Sequence, residues 1–403
     1  MPDRLETPPH GTLALVLSGG GARGAYQAGV LRGLARLFPD VRFPVIVGTS
    51  AGAINAAFLA AHPGTLREAT HSLGELWGNL ETEGVFHADT GSLTRNFLRW
   101  IRRLASGDSP ESPEVRGLVD TRPLHDTMQR VVACVDGELI GIEHNLERGL
   151  IQALALTTLN YSTGQTVTWI QGEDPRPWRE PQHQSVRTRI TVEHVMASAS
   201  LPLFFPAVRL GDAWYGDGGI RLSTPLAPAL RLGADRILAI SPRYRPSLEE
   251  ADRHQIAGYP PPAQILSHLL SSVFLDVLDQ DVQRLLDTNT LVSKLPSGER
   301  EGFRPVSIRV VRPSQDLAKL ATDYESRLPK AFRYLTRSLG TRETTTPDFL
   351  SFLMFQPEYL QRLIEIGEAD AERRSEEIRE LLASEVDPQR DDDSLAQDAR
   401  AAG

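Results

Sequence analysis

Short apolar runs alternate with segments of helical periodicity near the start of the chain. Residues 13–17 and 43–47 are almost wholly apolar, as expected of buried strands. Residues 22–38 carry apolar side chains at helical spacing, and residues 51–61 form a second helical segment of mainly small residues. Strands that alternate with helices through short turns predict parallel strands joined by right-handed crossover connections.

The same pattern continues to about residue 242 and then gives way to mainly helical segments. Residues 265–286 carry a wide apolar stripe that predicts one long amphipathic helix. Further strands are predicted by apolar runs at residues 150–160, 166–170, 208–210, 214–215, 236–240 and 306–311. We therefore predict an α/β fold with a mainly parallel sheet, followed by an α-rich C-terminal extension.

Shifts in composition divide the chain into four parts. Residues 1–11 are polar and contain three prolines, so we expect them to be disordered. Residues 12–242 form the predicted α/β domain. Residues 243–384, called the C-terminal region below, are α-rich and are expected to pack on that domain. Residues 385–403 are acidic and poor in apolar side chains, which predicts a disordered tail.

The overall composition excludes several classes of protein. The chain has 403 residues, of which 40% are hydrophobic and 24% are charged, an ordinary globular composition. Its net charge of −9 argues against a nucleic-acid partner, which would favour a basic surface. The single cysteine, Cys134, excludes an internal disulfide and any site that needs several thiolates.

No segment has the pattern of a membrane anchor or of a secretion signal. The sequence contains no apolar run of about 18 residues, the length that a membrane span requires. The apolar run at residues 13–17 is too short for the core of a signal peptide. We therefore expect a cytoplasmic protein, and peripheral contact with a membrane surface stays open.

A serine stands between two glycines where a predicted strand meets a predicted helix. The sequence Gly48-Thr-Ser50-Ala-Gly52 fits the G-x-S-x-G pattern, in which a serine occupies a strained strand-to-helix turn. Glycines are needed two positions before and after the serine because side chains there would collide at so tight a turn. The flanking strand and helix supply the context that the motif requires, so we predict Ser50 as a nucleophile. The plain alternative is a glycine-rich turn in which Ser50 caps the helix.

A second glycine-rich loop follows the first strand and consists of Gly19, Gly20, Gly21, Ala22, Arg23 and Gly24. Such loops also occur in dinucleotide-binding folds, where an acid at the end of the second strand holds the ribose. Here the second strand ends in Gly48-Thr49-Ser50, and Asp40 lies before it, so the sequence disfavours that function. The loop can instead present backbone N–H groups at a helix N-terminus to an oxyanion. Arg23 either forms a structural salt bridge or adds positive charge near that oxyanion.

A serine nucleophile needs a base, and the sequence offers two kinds. None of the ten histidines follows a predicted strand in an obvious catalytic loop, and His194 lies on a predicted helix. Asp217 follows the predicted hairpin and precedes two glycines that let other backbone approach closely. A carboxylate is a weak base at its free pKa of about 4, but burial raises that pKa toward the useful range. The residues alone leave a Ser-His-Asp triad and a Ser-Asp pair open.

Taken together and in this order, the three motifs resemble those of the patatin-like phospholipases. The matching segments are residues 19–24, 48–52 and 217–219, together with residues 197–206, which resemble the stretch before the aspartate in this family. The resemblance covers residues 12–242, and residues 350–370 are similar to C-terminal regions of bacterial members. It implies a three-layer patatin-type fold in which residues 12–242 are the catalytic domain.

The resemblance also implies a chemistry. In this family a Ser-Asp dyad without histidine cleaves fatty-acyl esters of phospholipids or related lipids, without a metal or a cofactor. Carried over, Ser50 is the nucleophile, Asp217 is the base, and residues 19–24 form the oxyanion hole. The glycines that support the two turns are Gly48, Gly52, Gly218 and Gly219.

The implied partner is a lipid substrate, met through transient contact with a membrane surface. No nucleic-acid partner is expected, and protein partners are not indicated. Two other hypotheses remain: a catalytically silent lipid-binding or regulatory protein of the same fold, and a Ser-His-Asp esterase.

Overall fold

A computed structural model of the chain describes residues 12–87, 117–173, 177–252, 259–330, 332–333, 337 and 348–384. The two segments predicted to be disordered, residues 1–11 and 385–403, lie outside the described residues. Within the described ranges, helices pack on both faces of a central β-sheet.

Eleven strands occur in these ranges, and nine of them form one sheet. The strands are β1 (Leu13–Leu17), β2 (Val45–Thr49), β3 (Cys134–Val135), β4 (Glu138–Leu139), β5 (Ala153–Asn160), β6 (Thr166–Gly172), β7 (His183–Arg187), β8 (Val208–Leu210), β9 (Ala213–Asp217), β10 (Arg236–Ile240) and β11 (Ser307–Val311). The order in the sheet is β11-β10-β1-β2-β5-β6-β7, and β9 pairs with both β5 and β8. Strands β3 and β4 form a separate two-stranded sheet.

The sheet is mainly parallel, as the alternation of strands and helices predicts. Strands β11, β10, β1, β2 and β5 run parallel to one another. Strand β6 is antiparallel to β5, and β7 is parallel to β6. Strand β7 is not predicted from the sequence, because its side chains are mostly polar and only partly buried.

Fifteen α-helices have both of their ends within the described residues. They are α1 (Gly24–Leu37), α2 (Ala51–Ala61), α3 (Leu66–Gly78), α4 (Thr82–Val85), α5 (Arg122–Val131), α6 (Ile140–Glu147), α7 (Val192–Ser198), α8 (Ala227–Arg231), α9 (Leu248–Ala251), α10 (Pro262–Phe274), α11 (Asp276–Ser293), α12 (Leu317–Tyr324), α13 (Asp348–Phe352), α14 (Pro357–Arg373) and α15 (Ser375–Ala383). No helix among them combines the length and the apolar character that a membrane span requires.

Alternate side chains of the strands point into two separate cores. In β1, Leu13, Leu15 and Leu17 belong to one buried cluster, whereas Ala14 and Val16 belong to the other. Side chains of α1, α2 and α14 fill the first core, and side chains of α8 and α11 fill the second. Both faces of the sheet are therefore covered, which explains why β1 is a continuous apolar run. The result is a three-layer arrangement.

The prediction of one helix over residues 265–286 is wrong. Helix α10 ends at Phe274 and α11 begins at Asp276, with Leu275 between them. Phe274 packs in the first core, whereas Leu278 packs in the second core on the opposite face of the sheet. A straight helix cannot serve both layers, so the chain breaks where it passes from one to the other.

The C-terminal region shares the sheet with the part of the chain before it. Strand β11 pairs in parallel with β10, so the predicted boundary at residue 242 falls between two neighbouring strands. Helix α14 packs closely against α1. A Cβ atom at Gly29 would lie 2.1 Å from the carbonyl oxygen of Ile364, and one at Gly367 would lie 2.3 Å from that of Tyr26. The two parts therefore have a common core.

Candidate active site

Ser50 lies at the tight turn between β2 and α2. Strand β2 ends at Thr49 and α2 begins at Ala51, so Ser50 alone connects them. Its backbone φ of 57° and ψ of −129° form a conformation that residues with side chains rarely adopt. The Ser50 hydroxyl makes no capping hydrogen bond to α2, which disfavours the alternative of a simple helix cap. This geometry is that of a nucleophile elbow.

The two glycines of the motif are required by close packing at this turn. A Cβ atom at Gly48 would lie 2.5 Å from the carbonyl oxygen of Gly52. One at Gly52 would lie 2.1 Å from the carbonyl oxygen of Leu17. The start of α2 is thereby packed directly against the end of β1, where the glycine-rich loop begins.

Strand pairing brings Asp217 next to the serine turn. On β5, Thr157 pairs with Thr49 of β2, and the next residue, Thr158, pairs with Asp217 of β9. Because β6 occupies the other side of β5, strands β2 and β9 lie on the same side, one beyond the end of the other. The last residue of β9 therefore lies beside the residue that follows β2.

Asp217 is completely buried, and its burial sets its acidity. Its Oδ1 accepts a hydrogen bond of 2.9 Å from the N–H of Gly219. Its Oδ2 has no partner of normal hydrogen-bond geometry in the described chain. Burial raises the pKa of the Asp217 carboxyl from 3.8 to about 7, although the Ser50 hydroxyl and the Gly219 N–H both lower it. The expected rise in pKa is confirmed, and the carboxyl can exchange a proton near neutral pH.

The two glycines after Asp217 make room for their neighbours. A Cβ atom at Gly218 would lie 2.3 Å from the carbonyl oxygen of Thr157, and one at Gly219 would lie 2.5 Å from the ring of Phe274. Phe274, the last residue of α10, also lies 3.6 Å from the Cβ position of Gly19. An aromatic side chain of the C-terminal region thus covers both the aspartate turn and the start of the glycine-rich loop.

The glycine-rich loop leads from β1 into α1 and approaches Ser50. A Cβ atom at Gly19 would lie 3.0 Å from the Cβ of Ser50. The N–H groups of Arg23 and Gly24 donate to carbonyls within the loop and close its turn. Four other N–H groups donate to no acceptor in the part of the chain that the structure describes, and they belong to Gly19, Gly20, Gly21 and Ala22. These four groups are the candidate donors to an oxyanion.

Arg23 forms the structural salt bridge that the sequence left as one of two options. Its side chain is 3% exposed and pairs with the carboxylate of Asp348. Its Nε donates a hydrogen bond of 2.8 Å to Ser351 Oγ, and its guanidinium lies 5.2 Å from the centre of the Phe352 ring. All of these partners belong to α13, so the charge of Arg23 is compensated within the C-terminal region.

An apolar pocket opens beside Ser50. Gly21 and Ser50 line the same pocket, as the shared sheet edge predicts. Its walls come from α2, α3 and α5, from residues 199–205, and from residues 352–355 of the C-terminal region. Among the described residues, Thr127 and Ser50 are the hydroxyl groups in a lining that contains no charged side chain. Such a lining suits an alkyl chain.

The described histidines do not line this pocket. His194 instead serves α7, because its Nδ1 accepts the backbone N–H of Thr191 at 3.1 Å. Its ring packs edge-on against Trp169, with the ring centres 4.7 Å apart. Burial lowers the pKa of His194 to about 4. His194 is therefore a neutral, structural side chain, which disfavours it as the base for Ser50.

Ser198 supports the serine turn and is not predicted as a site residue. Its Oγ accepts the backbone N–H of Ser50 at 3.1 Å and donates to the carbonyl oxygen of Thr157 at 2.7 Å. One hydroxyl therefore joins the Ser50 turn to β5, the strand that also pairs with β9 and Asp217. The available signal was the family-like segment at residues 197–206, which contains this serine.

A buried polar network behind the glycine-rich loop is also not predicted. Asn55 Nδ2 donates to the carbonyl oxygen of Gly24 at 3.1 Å and to Gln27 Oε1 at 2.9 Å. Gln27 Nε2 donates to the carbonyl oxygen of Ser18 at 2.7 Å, and Trp77 Nε1 donates to Asn55 Oδ1 at 2.7 Å. The network thus holds both ends of the loop. A lone amide in the otherwise apolar helix α2 was the signal for it.

The fold and the elbow together define a class, the α/β proteins that carry a serine at a strand-to-helix turn. A finer assignment comes from the family of patatin-like phospholipases, whose model matches residues 15–230, more than half of the chain. The chain belongs to that family, which confirms the resemblance drawn from the three motifs. Comparison with curated protein sequences gives no match.

Solved structures similar to this chain include a human phospholipase A2 and proteins of two bacteria. Human GIVD cytosolic phospholipase A2 with a bound fluorophosphonate has a TM-score of 0.44 at 14% identity, over 94% of this chain and 60% of that one. VipD from Legionella pneumophila has a TM-score of 0.34 at 15% identity, over 83% and 67%. The ExoU–SpcU complex of Pseudomonas aeruginosa has a TM-score of 0.25 at 15% identity, over 98% and 82%. This chain therefore spans less than two thirds of the human enzyme.

Proposed function

We propose that this protein is a serine acyl hydrolase that cleaves fatty-acyl esters of phospholipids or related lipids through a dyad of Ser50 and Asp217. The observation that carries the proposal is the strained Ser50 beside a fully buried Asp217 whose pKa is about 7. The apolar pocket at Ser50 and the family of the chain support a lipid as the substrate.

In the first half of the reaction, Ser50 Oγ attacks the ester carbonyl carbon while the Asp217 carboxylate takes the Oγ proton. The carbonyl oxygen becomes an oxyanion, which the free N–H groups of residues 19–22 stabilise. The tetrahedral intermediate then breaks its bond to the alcohol oxygen. The alcohol leaves with the proton from Asp217, and the acyl group stays on Ser50.

In the second half, a water molecule replaces the alcohol. Asp217 takes one of its protons as the water oxygen attacks the acyl carbon, and the same N–H groups bind the new oxyanion. Collapse of this intermediate returns the proton to Ser50 Oγ and releases the fatty acid. Every proton is carried by the two residues of the dyad, so the cycle is balanced without a metal or a cofactor, whose absence remains a prediction.

The acyl chain of the substrate would occupy the apolar pocket, and its head group would stay outside. Both the α/β domain and the C-terminal region contribute side chains to the pocket that would hold the acyl chain, such as Met128 of α5 and Phe355 of the C-terminal region. A lipid in an aggregate must leave its neighbours to enter. Transient contact of the pocket mouth with a membrane surface is therefore part of the proposal.

A fluorophosphonate probe tests the proposal directly. The probe should modify Ser50, and mass spectrometry of a digest should find the adduct on the peptide that contains this residue. Wild type and Ser50→Ala should then be compared on a panel of phospholipids, lysophospholipids and neutral lipids. Release of fatty acid by wild type alone supports the proposal.

Two outcomes would decide against it. Lipid binding without labelling and without hydrolysis would indicate a catalytically silent lipid-binding protein. Hydrolysis that depends on a histidine would indicate a Ser-His-Asp esterase, which the capping role of His194 already disfavours.

A further inference from the structure

The glycine-rich loop is held by a segment that lies far beyond it in sequence. The family match ends at residue 230, yet the one charged side chain of the loop, Arg23, has its charged and hydroxyl partners on α13. A Cβ atom at Gly21 would lie 2.3 Å from the carbonyl oxygen of Phe352. Arg23 pairs with Asp348 and bonds to Ser351. The loop therefore lies between the α/β domain and the C-terminal region.

Asp348 is bonded on two sides. One carboxylate oxygen pairs with Arg23, and the other accepts a hydrogen bond from the hydroxyl of Ser271 on α10. The next residue, Phe349, donates its N–H to Ser267 Oγ at 3.2 Å. Helix α13 is thereby joined to α10, whose last residue, Phe274, covers the turn that follows Asp217. Asp348 stands at the centre of these contacts.

The carboxylate of Asp348 compensates the charge of Arg23. The Arg23 side chain is 3% exposed, and a buried cation without a partner is strongly unfavourable. The backbone N–H of Arg23 also closes the loop on the carbonyl oxygen of Gly20, at 3.1 Å. A displaced Arg23 side chain would therefore shift the neighbouring N–H groups. A shift of about 1 Å in such a group costs on the order of 10²-fold in rate.

We propose that Asp348 is a positioning residue for the oxyanion hole. It acts through Arg23 to hold the N–H groups of residues 19–22 in the geometry that the tetrahedral intermediate needs. The inference rests on the proposed hydrolase function and extends it. It gives the C-terminal region a part in the chemical step, in addition to its part in covering the pocket.

The first test is Asp348→Asn, which keeps the shape of the side chain and removes its charge. On a short-chain nitrophenyl ester we expect kcat to fall about 10- to 100-fold. KM should stay within about threefold, because Asp348 touches no substrate. The rate of Ser50 labelling by a fluorophosphonate should fall by a similar factor, because the attack on phosphorus uses the same N–H groups.

The matched control is Glu358→Gln in the same region. Glu358 pairs with Arg327 at the surface, where both side chains are about half exposed. Loss of an exposed pair has little effect, so kcat should stay within about twofold. An equal fall of kcat in both variants would overturn the proposal, because it would show a general response to charge loss.

A double-mutant cycle tests whether Asp348 acts through Arg23. Arg23→Gln removes the cation, so adding Asp348→Asn to it should lower kcat no further, and the double variant should match Arg23→Gln within about twofold. Losses that multiply would overturn the proposal. So would a folded Asp348→Asn variant whose kcat equals that of wild type.

Ser351→Ala replaces Asp348→Asn if that variant does not fold. It removes the neutral hydroxyl that accepts from Arg23 Nε and Nη2 and donates to the backbone carbonyl of Asp348, and we expect kcat to fall about three- to tenfold with KM unchanged. An unchanged kcat would count against the proposal. The proposed hydrolase function is tested separately: hydrolysis that persists in Ser50→Ala would show that the activity does not come from this site.

Discussion

The α/β domain and the C-terminal region contribute to the site in different ways. The groups proposed to react, Ser50 and Asp217, lie in the first part, where a strained turn and the register of β5 fix them. The C-terminal region adds covering rings and the partner of Arg23. Backbone geometry therefore positions the groups of the proposed reaction, whereas side-chain packing between distant segments adjusts its rate and substrate preference. Changes at Ser50 or Asp217 should therefore abolish activity, whereas changes in the C-terminal region should reduce it by smaller factors or alter the preferred acyl chain.

The largest effect is expected from Ser50→Ala. Without the nucleophile, ester hydrolysis should fall about 10³-fold or more. The variant should unfold at nearly the wild-type temperature, because alanine fits the same turn and the hydroxyl caps no helix. Initial rates and thermal unfolding measure the two quantities. Wild-type turnover in a pure sample of this variant would show that Ser50 is not the nucleophile.

Asp217→Asn should lose about as much activity as Ser50→Ala, while gaining stability. In the folded protein the Asp217 pKa is about 7, so the unfolded chain releases this proton at lower pH than the folded protein does. Wild-type stability therefore falls as the pH rises from about 4 to about 7, by up to roughly 4 kcal/mol. Asparagine does not ionise. In urea unfolding the variant should match wild type near pH 4 and be more stable at pH 8. A variant less stable at pH 8 would contradict the buried, proton-binding carboxyl.

Gly21→Ala tests the boundary between the two regions. Gly21 has a φ of +57°, and a Cβ atom there would strike the backbone of Phe352. We expect kcat to fall about 10²-fold, the effect of losing an oxyanion donor. Gly211→Ala is the control, because Gly211 has a φ of +61° with nothing within 4 Å of its Cβ position. That control should cost about 1 kcal/mol of stability and no activity. Equal effects on kcat would show that the loop needs no special geometry.

The dependence of activity on pH sharpens the assignment of the base. The proposed dyad needs Asp217 ionised, so kcat/KM should rise about tenfold per pH unit up to about pH 7 and then level off. A histidine base would give a similar profile, so single His→Ala variants must accompany it. Each, including His194→Ala, should keep activity within about tenfold of wild type. A folded histidine variant as inactive as Ser50→Ala would restore the triad.

The smallest effect on activity is expected from a substitution in the pocket wall that the C-terminal region forms. Phe355→Leu enlarges the pocket, so the preferred acyl chain should become longer. The ratio of kcat/KM between long and short esters should change about tenfold, the effect of one or two methylenes. Met128→Leu, on the wall formed by α5, keeps the volume and is the matched control. A change of equal size in this ratio in both variants would show that the two regions contribute equally to the preference for acyl-chain length.

The α/β part was largely predictable because its signals are local. Apolar runs indicate the buried strands of a parallel sheet, and glycines at fixed spacing around Ser50 indicate a turn that only they allow. The pairing of Asp217 with Thr158 could not be read in the same way, because register between distant strands leaves no periodic pattern. For the same reason, nothing in the sequence indicated that Arg23 contacts Asp348. The sequence indicated only that Arg23 could form a structural salt bridge.

The remaining differences have similar physical origins. The break at Leu275 follows from the position of two cores, which a hydrophobic stripe along one helix does not reveal. Ser198 and Asn55 act through single hydroxyl and amide groups, and such groups stand out only when their backbone partners are known. Strand β7 has too little apolar character to be recognised.

The register of β5 has a further consequence for how the protein becomes active. Both pairings that bring Ser50 and Asp217 together join segments that are far apart along the chain, through neighbouring residues of one strand. Contacts of this kind form late in folding, after helices with local contacts such as α1 and α2. During refolding, helical circular dichroism should therefore return before esterase activity does. Recovery of turnover then reports completion of the sheet at its centre, and not the earlier collapse of the chain.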